Sequence, residues 1–259
     1  MIQKYDTLRY FIELSYFGKP FHGWQKQPNA VTVQQTIEEA LSTLLRTKIT
    51  IMGAGRTDTG VHASQMFAHV DIDDAIAATT IANLPHKLNS FLPPAIAIGQ
   101  LYPVDPQAHS RFDATGRTYH YRVTLQKDPF LTHSAFYCKY TLDMAAMNEA
   151  ANILMSYSDF ECFSKSNTDV NTYICEVREA YWTQKGHELC FVISADRFLR
   201  NMVRAIVGTL LEIGQGKQPP EWMHTVIKAK NRAIAGASVP AHGLYLTAVD
   251  YPKSILKKS

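Results

Sequence analysis

What this chain of 259 residues lacks narrows its class before any motif is considered. Its four cysteines, Cys138, Cys162, Cys175 and Cys190, form no C-x-x-C pair and no cysteine/histidine ligand spacing, which argues against both a disulfide framework and a zinc site. They read as buried thiols of a reducing compartment. No stretch approaches the ~18 apolar residues of a membrane span. The opening MIQKYDTLRYFIEL has no basic region followed by an apolar run, the mark of a secretion signal. A cytoplasmic protein with no membrane contact is therefore expected. Charge of one sign is scarce too, since 26 Lys plus Arg against 23 Asp plus Glu leave only +3. Any basic partner surface must be local. What is present in quantity is apolar, at 46% of residues, enough for a sizeable core.

Periodicity supplies the organisation. RYFIELSYFG places Tyr10, Ile12, Leu14 and Tyr16 on one face of a strand. TVQQTIEEALSTLL opens on Thr32 as N-cap with Gln35 three residues on, a capping box, and continues at helical spacing. KITIMG and MFAHVDI read as strands, TTIANLPHKLNSFL as a helix interrupted by Pro85, and AIAIGQLYPV as a fourth strand. The second half repeats this order. RTYHYRVTL is a strand, and a helix follows capped by Asp143, with Leu142 and Met147 placed for a hydrophobic staple. YICEVREAYWTQ and ELCFVISA form a hairpin around Lys185-Gly186. Next comes the longest amphipathic helix, with Leu199, Met202, Val203, Ile206, Val207, Leu210 and Leu211 on one stripe, ending near Gly214. A further helix begins near Pro219 or Pro220, and GLYLTAVDY closes as a strand. The expected fold is α+β: two ferredoxin-like, RRM-like β-α-β-β-α-β halves, residues 1–105 and 106–259, with mainly antiparallel sheets joined rigidly across a central cleft. YPVDPQAHSRF is the junction.

The stretch GAGRTDTGVHA, Gly53 to Ala63, has almost nothing to bury. It is not a phosphate cradle. A dinucleotide fingerprint would want glycine where Asp58 stands, and the P-loop ending Gly-Lys-Ser/Thr is missing. Glycines and aspartates also gather in turns for conformational reasons alone. Yet Arg56, Asp58 and His62 are polar groups able to reach a ligand, and loops on rigid scaffolds are where such groups act.

These residues resemble the Gly-Arg-Thr-Asp signature of the TruA family of tRNA pseudouridine synthases. FHGWQKQ with TVQQTIEEAL, SRFDATGRTYHY, FLRNMVRAIVG and GLYLTAVDY are similar to that family's remaining segments, in its order and spacing, so the resemblance spans almost the whole chain. It implies an isomerase that turns uridine into pseudouridine at positions 38 to 40 of the tRNA anticodon stem-loop. No metal and no organic cofactor is implied. Asp58 matches the nucleophile, Arg204 the arginine that pairs with it, and Tyr119 a residue that stacks the base or accepts the C5 proton. A carboxylate closed over by a nucleobase stays ionised only beside a cation or donors, and a guanidinium is permanently charged. Arg56 would hold the flipped nucleotide or fill the space it vacates. Arg111, Arg117, Lys165, Arg197 and Arg200 would grip phosphates. The active unit implied is a homodimer, with one tRNA spanning both subunits.

The chain departs from the family twice. Tyr16-Phe17-Gly18 stands where Tyr-Asp-Gly is usual, which bears on one RNA-side contact, and Thr59 replaces a frequent alanine. In GRTYHYRV the alternation sends Tyr119 and Tyr121 to the same face, so one could be core and the other face a ligand only near a strand end. The competing class is a non-catalytic RNA-binding or chaperone protein of the same fold. A glycosidase-type hydrolase generally needs two carboxylates where this loop offers one, and a base deaminase needs H-x-E and P-C-x-x-C, which are absent.

Overall fold

A computed structural model describes residues 7–165 and 171–256. The chain is mixed α+β and divides into two compact units, Met1–Thr115 with Leu246–Ser259, and Gly116–Tyr245. Sequence places the junction near Asp105; the contacts divide the chain at Thr115 and again within the last strand.

In the first unit, β1 (Thr7–Tyr16) lies between β3 (His62–Asp73) and β4 (Ile96–Pro103), antiparallel to both, and β2 (Ile51–Gly53) pairs antiparallel with β3. The path is β4-β1-β3, with β2 paired to β3 off it, and alternation sets which side chains face the core. Ile12, Leu14 and Tyr16 of β1 are buried, as are Met66, Ala68, Val70 and Ile72 of β3. Helix α1 (Val33–Leu45) begins where Thr32 accepts from the Gln35 amide at 3.3 Å. Only half of the expected capping box forms, because the Gln35 side chain turns forward to Glu39 at 2.7 Å instead of back to the cap. The segment around Pro85 resolves into α2 (Asp74–Thr80), a 3-10 turn (Ile81–Asn83) and α3 (Leu84–Phe91). Pro85 sits in the first turn of α3, where its missing N–H costs nothing.

The second unit has β5 (Gly116–Thr124), β8 (Glu188–Ala195) and β7 (Val177–Lys185) in that spatial order, all antiparallel, with β6 (Phe136–Tyr137) parallel to β5. Helix α4 (Met144–Leu154) is capped by Asp143, which accepts from the Ala146 amide at 3.0 Å. Met147 and Leu142 both press on Gly214 at the end of α5 (Met202–Gly214). That helix starts later than its apolar spacing implies. Leu199 is buried but precedes it, and at 13 residues α5 equals α1 in length. Asn201, in the left-handed region at φ 69°, turns the chain into it. Helix α6 (Trp222–Ala229) follows, and β9 (Leu244–Asp250) gives its first two residues to this unit and the rest to the first. The cysteines are free, and Cys190 alone of the four is only partly buried. Burial raises the Cys162 thiol to about 12 and the Cys175 thiol to about 11, which keeps both unreactive.

One cluster in the first unit makes its stability depend on pH. Arg9 holds Asp71, its cross-strand partner, through two bonds of 2.7 Å, and His69, two residues before Asp71, accepts from the Ser110 amide at 3.2 Å while His109 meets its ring at 4.6 Å. Burial first, then the Arg9 and His109 charges, lowers His69 to about 4, with Asp71 pulling weakly the other way. Between about 6.5 and about 4 the unfolded chain takes up a proton that the folded chain refuses, so stability present above that window is lost as pH falls through it. Burial lowers His109 as well, in the same direction. Urea midpoints should therefore drop from neutral pH to pH ~4.5, by a slope of up to one proton from this group. His69→Asn, which keeps an acceptor near Ser110 without the titration, should flatten that decline.

Candidate functional site

In the first unit, the loop carrying Asp58 is fastened from both sides. β2 ends at Gly53, where a Cβ would strike the Trp24 indole at 2.5 Å, so the tryptophan lies flat on the strand end and only glycine fits beneath it. Ala54 then donates to the Phe67 carbonyl at 2.8 Å. Thr57 is tied twice, by its Oγ1 to the Tyr16 hydroxyl at 2.9 Å and by its carbonyl to the Trp24 amide at 3.2 Å. Asp58 follows directly, partly exposed, and its carbonyl accepts from the Val61 amide at 3.1 Å. Gly60, at φ 80°, supplies the left-handed residue of that turn, which a side chain would strain. A carboxylate is thus carried at the first position of a tight turn whose preceding residue cannot drift. Arg56 is exposed and donates from Nε to Gln25 Oε1 at 3.1 Å.

His62 departs from expectation. It is only 1% exposed, its Nδ1 accepts from the Gly18 amide at 2.9 Å, and Phe17 stacks on its ring at 4.4 Å. The reason is register. Tyr16 pairs with Ala63 across β1 and β3, so His62 falls beneath Phe17, the residue that follows β1, and is taken into the packing rather than left at the mouth of the loop. Arg111 also lies in this unit, exposed, with its guanidinium 5.6 Å from the Phe112 ring centre and its amide donating to His109 Nδ1 at 3.1 Å.

In the second unit the loop between β8 and α5 carries Arg197 and Arg200, and Arg117, Tyr119 and Lys165 contact it. Tyr119 and Tyr121 do share a face of β5 and part company in burial. Tyr121 is fully buried, donating to the Pro240 carbonyl at 2.8 Å, its ionisation pushed up by burial and partly opposed by the charge of Arg204. Tyr119 is partly exposed, edge-on to Phe198 of the loop at 5.1 Å. Arg117 donates to the Asp196 carbonyl at 2.9 Å, Arg197 to Thr172 at 3.4 Å, and the Lys165 amide to the Arg200 carbonyl at 3.0 Å. Arg204, in the first turn of α5, is held both ways by Val239: its Nε donates to the Val239 carbonyl at 2.8 Å, and the Val239 amide donates to its carbonyl at 3.2 Å.

Residues 235–239 run along α5 as a strap, and their part was not read from sequence. Gly236 donates to Thr209 Oγ1 at 2.9 Å and Asn201 to Ser238 at 2.7 Å, so the strap is pinned on both sides of Arg204. Nor was Trp24 as the cover of Gly53. The tryptophan in FHGWQKQ, beside a loop too polar to bury it, was the available signal. Among the described residues no three histidine, cysteine, aspartate or glutamate side chains gather as a metal site, and no helix is long and apolar enough to cross a membrane.

Comparison with known proteins gives one family. A model described as tRNA pseudouridine synthase matches residues 14–113 and 150–252. The chain is 54% identical over 247 residues to a tRNA pseudouridine synthase A of Parabacteroides distasonis, covering 95% of this chain and 97% of that one. Against the protein of the same name from Bacteroides thetaiotaomicron identity is 50%, covering 96% and 93%. The one from Colwellia psychrerythraea is 36% identical, with 95% of each chain covered.

Proposed function

This chain belongs to the tRNA pseudouridine synthase family of isomerases, and from that premise we propose that it converts uridines at positions 38 to 40 of the tRNA anticodon stem-loop, with Asp58 as nucleophile. The observation that carries the reading is the double anchorage of Thr57 by Tyr16 and Trp24, which aims the residue that follows it. A nucleophile that need not be ordered at the moment of reaction spends no entropy there.

The chemistry asks for little else. The uridine leaves the stack at a cost of a few kcal/mol, partly repaid by contacts in the pocket. The carboxylate forms a temporary covalent bond to the uracil ring or the ribose C1′ and the glycosidic C–N bond breaks; the base turns, C5 bonds to C1′, the bond to the carboxylate is released, and the C5 proton is lost. Nothing is oxidised and no group departs. Arg204 and Tyr119 keep the roles that the resemblance gives them, as the cation that holds the nucleophile ionised and as the ring that keeps the detached base oriented. The strap bond from Val239 to Arg204 Nε supports the first, because a guanidinium fixed at one nitrogen presents the others in a set direction. The partial exposure of Tyr119 beside fully buried Tyr121 supports the second. Arg56 and Arg111, exposed, and Arg200, on the loop that holds Arg117 and Arg197, bind the RNA. The working unit is a cytoplasmic homodimer.

Incubation with tRNA tritiated at uracil C5 tests this. Label should pass to water, pseudouridine should appear in the product, and tRNA with cytidine at positions 38 to 40 should release none. Free uracil as product would indicate a hydrolase. Tight binding without release would indicate a passive RNA binder.

A further inference from the structure

Phe17 is an aromatic residue that the fold pins in place and leaves partly in water. It is 39% exposed. Its amide donates to the Ala95 carbonyl at 2.8 Å, and one face of its ring lies on His62 at 4.4 Å and 26°. The following residue, Gly18, is pressed so closely on the Asp58 loop that a Cβ would stand 1.9 Å from the Val61 carbonyl oxygen. The Val61 amide closes the turn on Asp58. The position of Phe17 is therefore tied to that of Asp58 through two consecutive contacts, all within the first unit.

A single exposed Phe is ordinary on a protein surface. Three features set this one apart. The ring is already immobilised, so ordering it on binding costs little side-chain entropy. His62 covers one face of the ring, and the residue nonetheless stays 39% exposed. Lys19, two residues on, and Arg56, which precedes the Thr57 bonded to Tyr16, are both exposed, and aromatic rings with cations are the mixture that grips unstacked nucleic acid. When a uridine is extruded, the base beside it loses its neighbour and bares an apolar face to water.

We propose that Phe17 is a stacking platform for the tRNA base adjacent to the flipped uridine, and so a substrate-binding residue of the same site. The inference rests on Asp58 being the nucleophile. Its test is binding in an Asp58→Asn background, where no turnover is needed: a failed platform leaves affinity unchanged, whereas a wrongly assigned nucleophile shows as turnover in that variant.

Phe17→Ala should raise the dissociation constant for tRNA roughly 5- to 150-fold, the range for losing one base–aromatic stack. Phe17→Trp should bind within about twofold of the parent. Phe17→Leu keeps an apolar cover on His62 but offers no π-face, and it should bind like Phe17→Ala while unfolding at the parent temperature. A tRNA carrying 2-aminopurine next to the target uridine should lose fluorescence on binding the parent and the Trp variant, and much less with Leu. Equal affinity and equal quenching for Phe and Leu would overturn the proposal, and so would weakened binding by the Trp variant.

Discussion

Asp58→Asn is expected to reduce tritium release by about ten thousandfold or more, a loss of roughly 5.5 kcal/mol or more of transition-state stabilisation. Its tRNA affinity should stay within a few-fold of the parent. The separation of the two effects comes from how the loop is built. The turn is closed by the main-chain carbonyl of Asp58 accepting from Val61, and the loop is anchored at Thr57 by Tyr16 and Trp24, so neither fastening uses the carboxylate. The amide is the same size and shape, and it can neither carry the negative charge nor form the covalent bond. A fall in turnover together with a fall in thermal stability would mean that the side chain props the loop rather than reacting. Undiminished turnover would remove Asp58 from the mechanism altogether.

That Asp58 stood out in the sequence has a plain cause. A polar, glycine-rich stretch between two apolar strands has nothing to contribute to a core, so its charged residue was conspicuous. His62, four residues on, looked equivalent and is not. It begins β3, and the pairing of Tyr16 with Ala63 carries it beneath Phe17, a consequence of register that local composition does not contain. Tyr119 and Tyr121 show the same limit from the other side. Alternation correctly put them on one face, while the difference between a buried ring bonded to Pro240 and a partly exposed one beside Phe198 depends on segments far away in the chain.

The elements were legible wherever one local signal sufficed. Thr32 and Asp143 cap their helices as their spacing implies, because each bond spans only three residues. The failures lie at boundaries set by tertiary contacts. Leu199 keeps the apolar spacing of α5 and is buried, yet the left-handed turn at Asn201 stops the helix short of it. The strand seen as MFAHVDI begins earlier, at His62, because β1 continues to pair with it.

Glycines illustrate the difference most sharply, and they give the second large prediction. Gly55 lies in the signature loop, yet a Cβ there would meet nothing within 4 Å and its backbone is not left-handed; Gly55→Ala should therefore be close to neutral in stability. Gly208, inside a helix, looks like an easy replacement, since alanine in a helix is favoured over glycine by about 1 kcal/mol. Here the sign reverses. A Cβ at Gly208 would stand 1.8 Å from the Ala237 carbonyl oxygen, and one at Gly236 would stand 2.7 Å from Gly208 itself, so two backbones touch. No side chain can rotate away. The strap of residues 235–239 must lift, and with it go the bonds from Gly236 to Thr209, from Asn201 to Ser238 and from Arg204 to Val239. Gly208→Ala should lose at least the ~1–3 kcal/mol typical of an overpacked core, seen as a lower urea midpoint with an unchanged slope. Because the displaced segment anchors Arg204, turnover should fall even in the fraction that remains folded, while Gly55→Ala, measured alongside, keeps its midpoint. A stable and fully active Gly208→Ala would mean that the strap does not position the guanidinium.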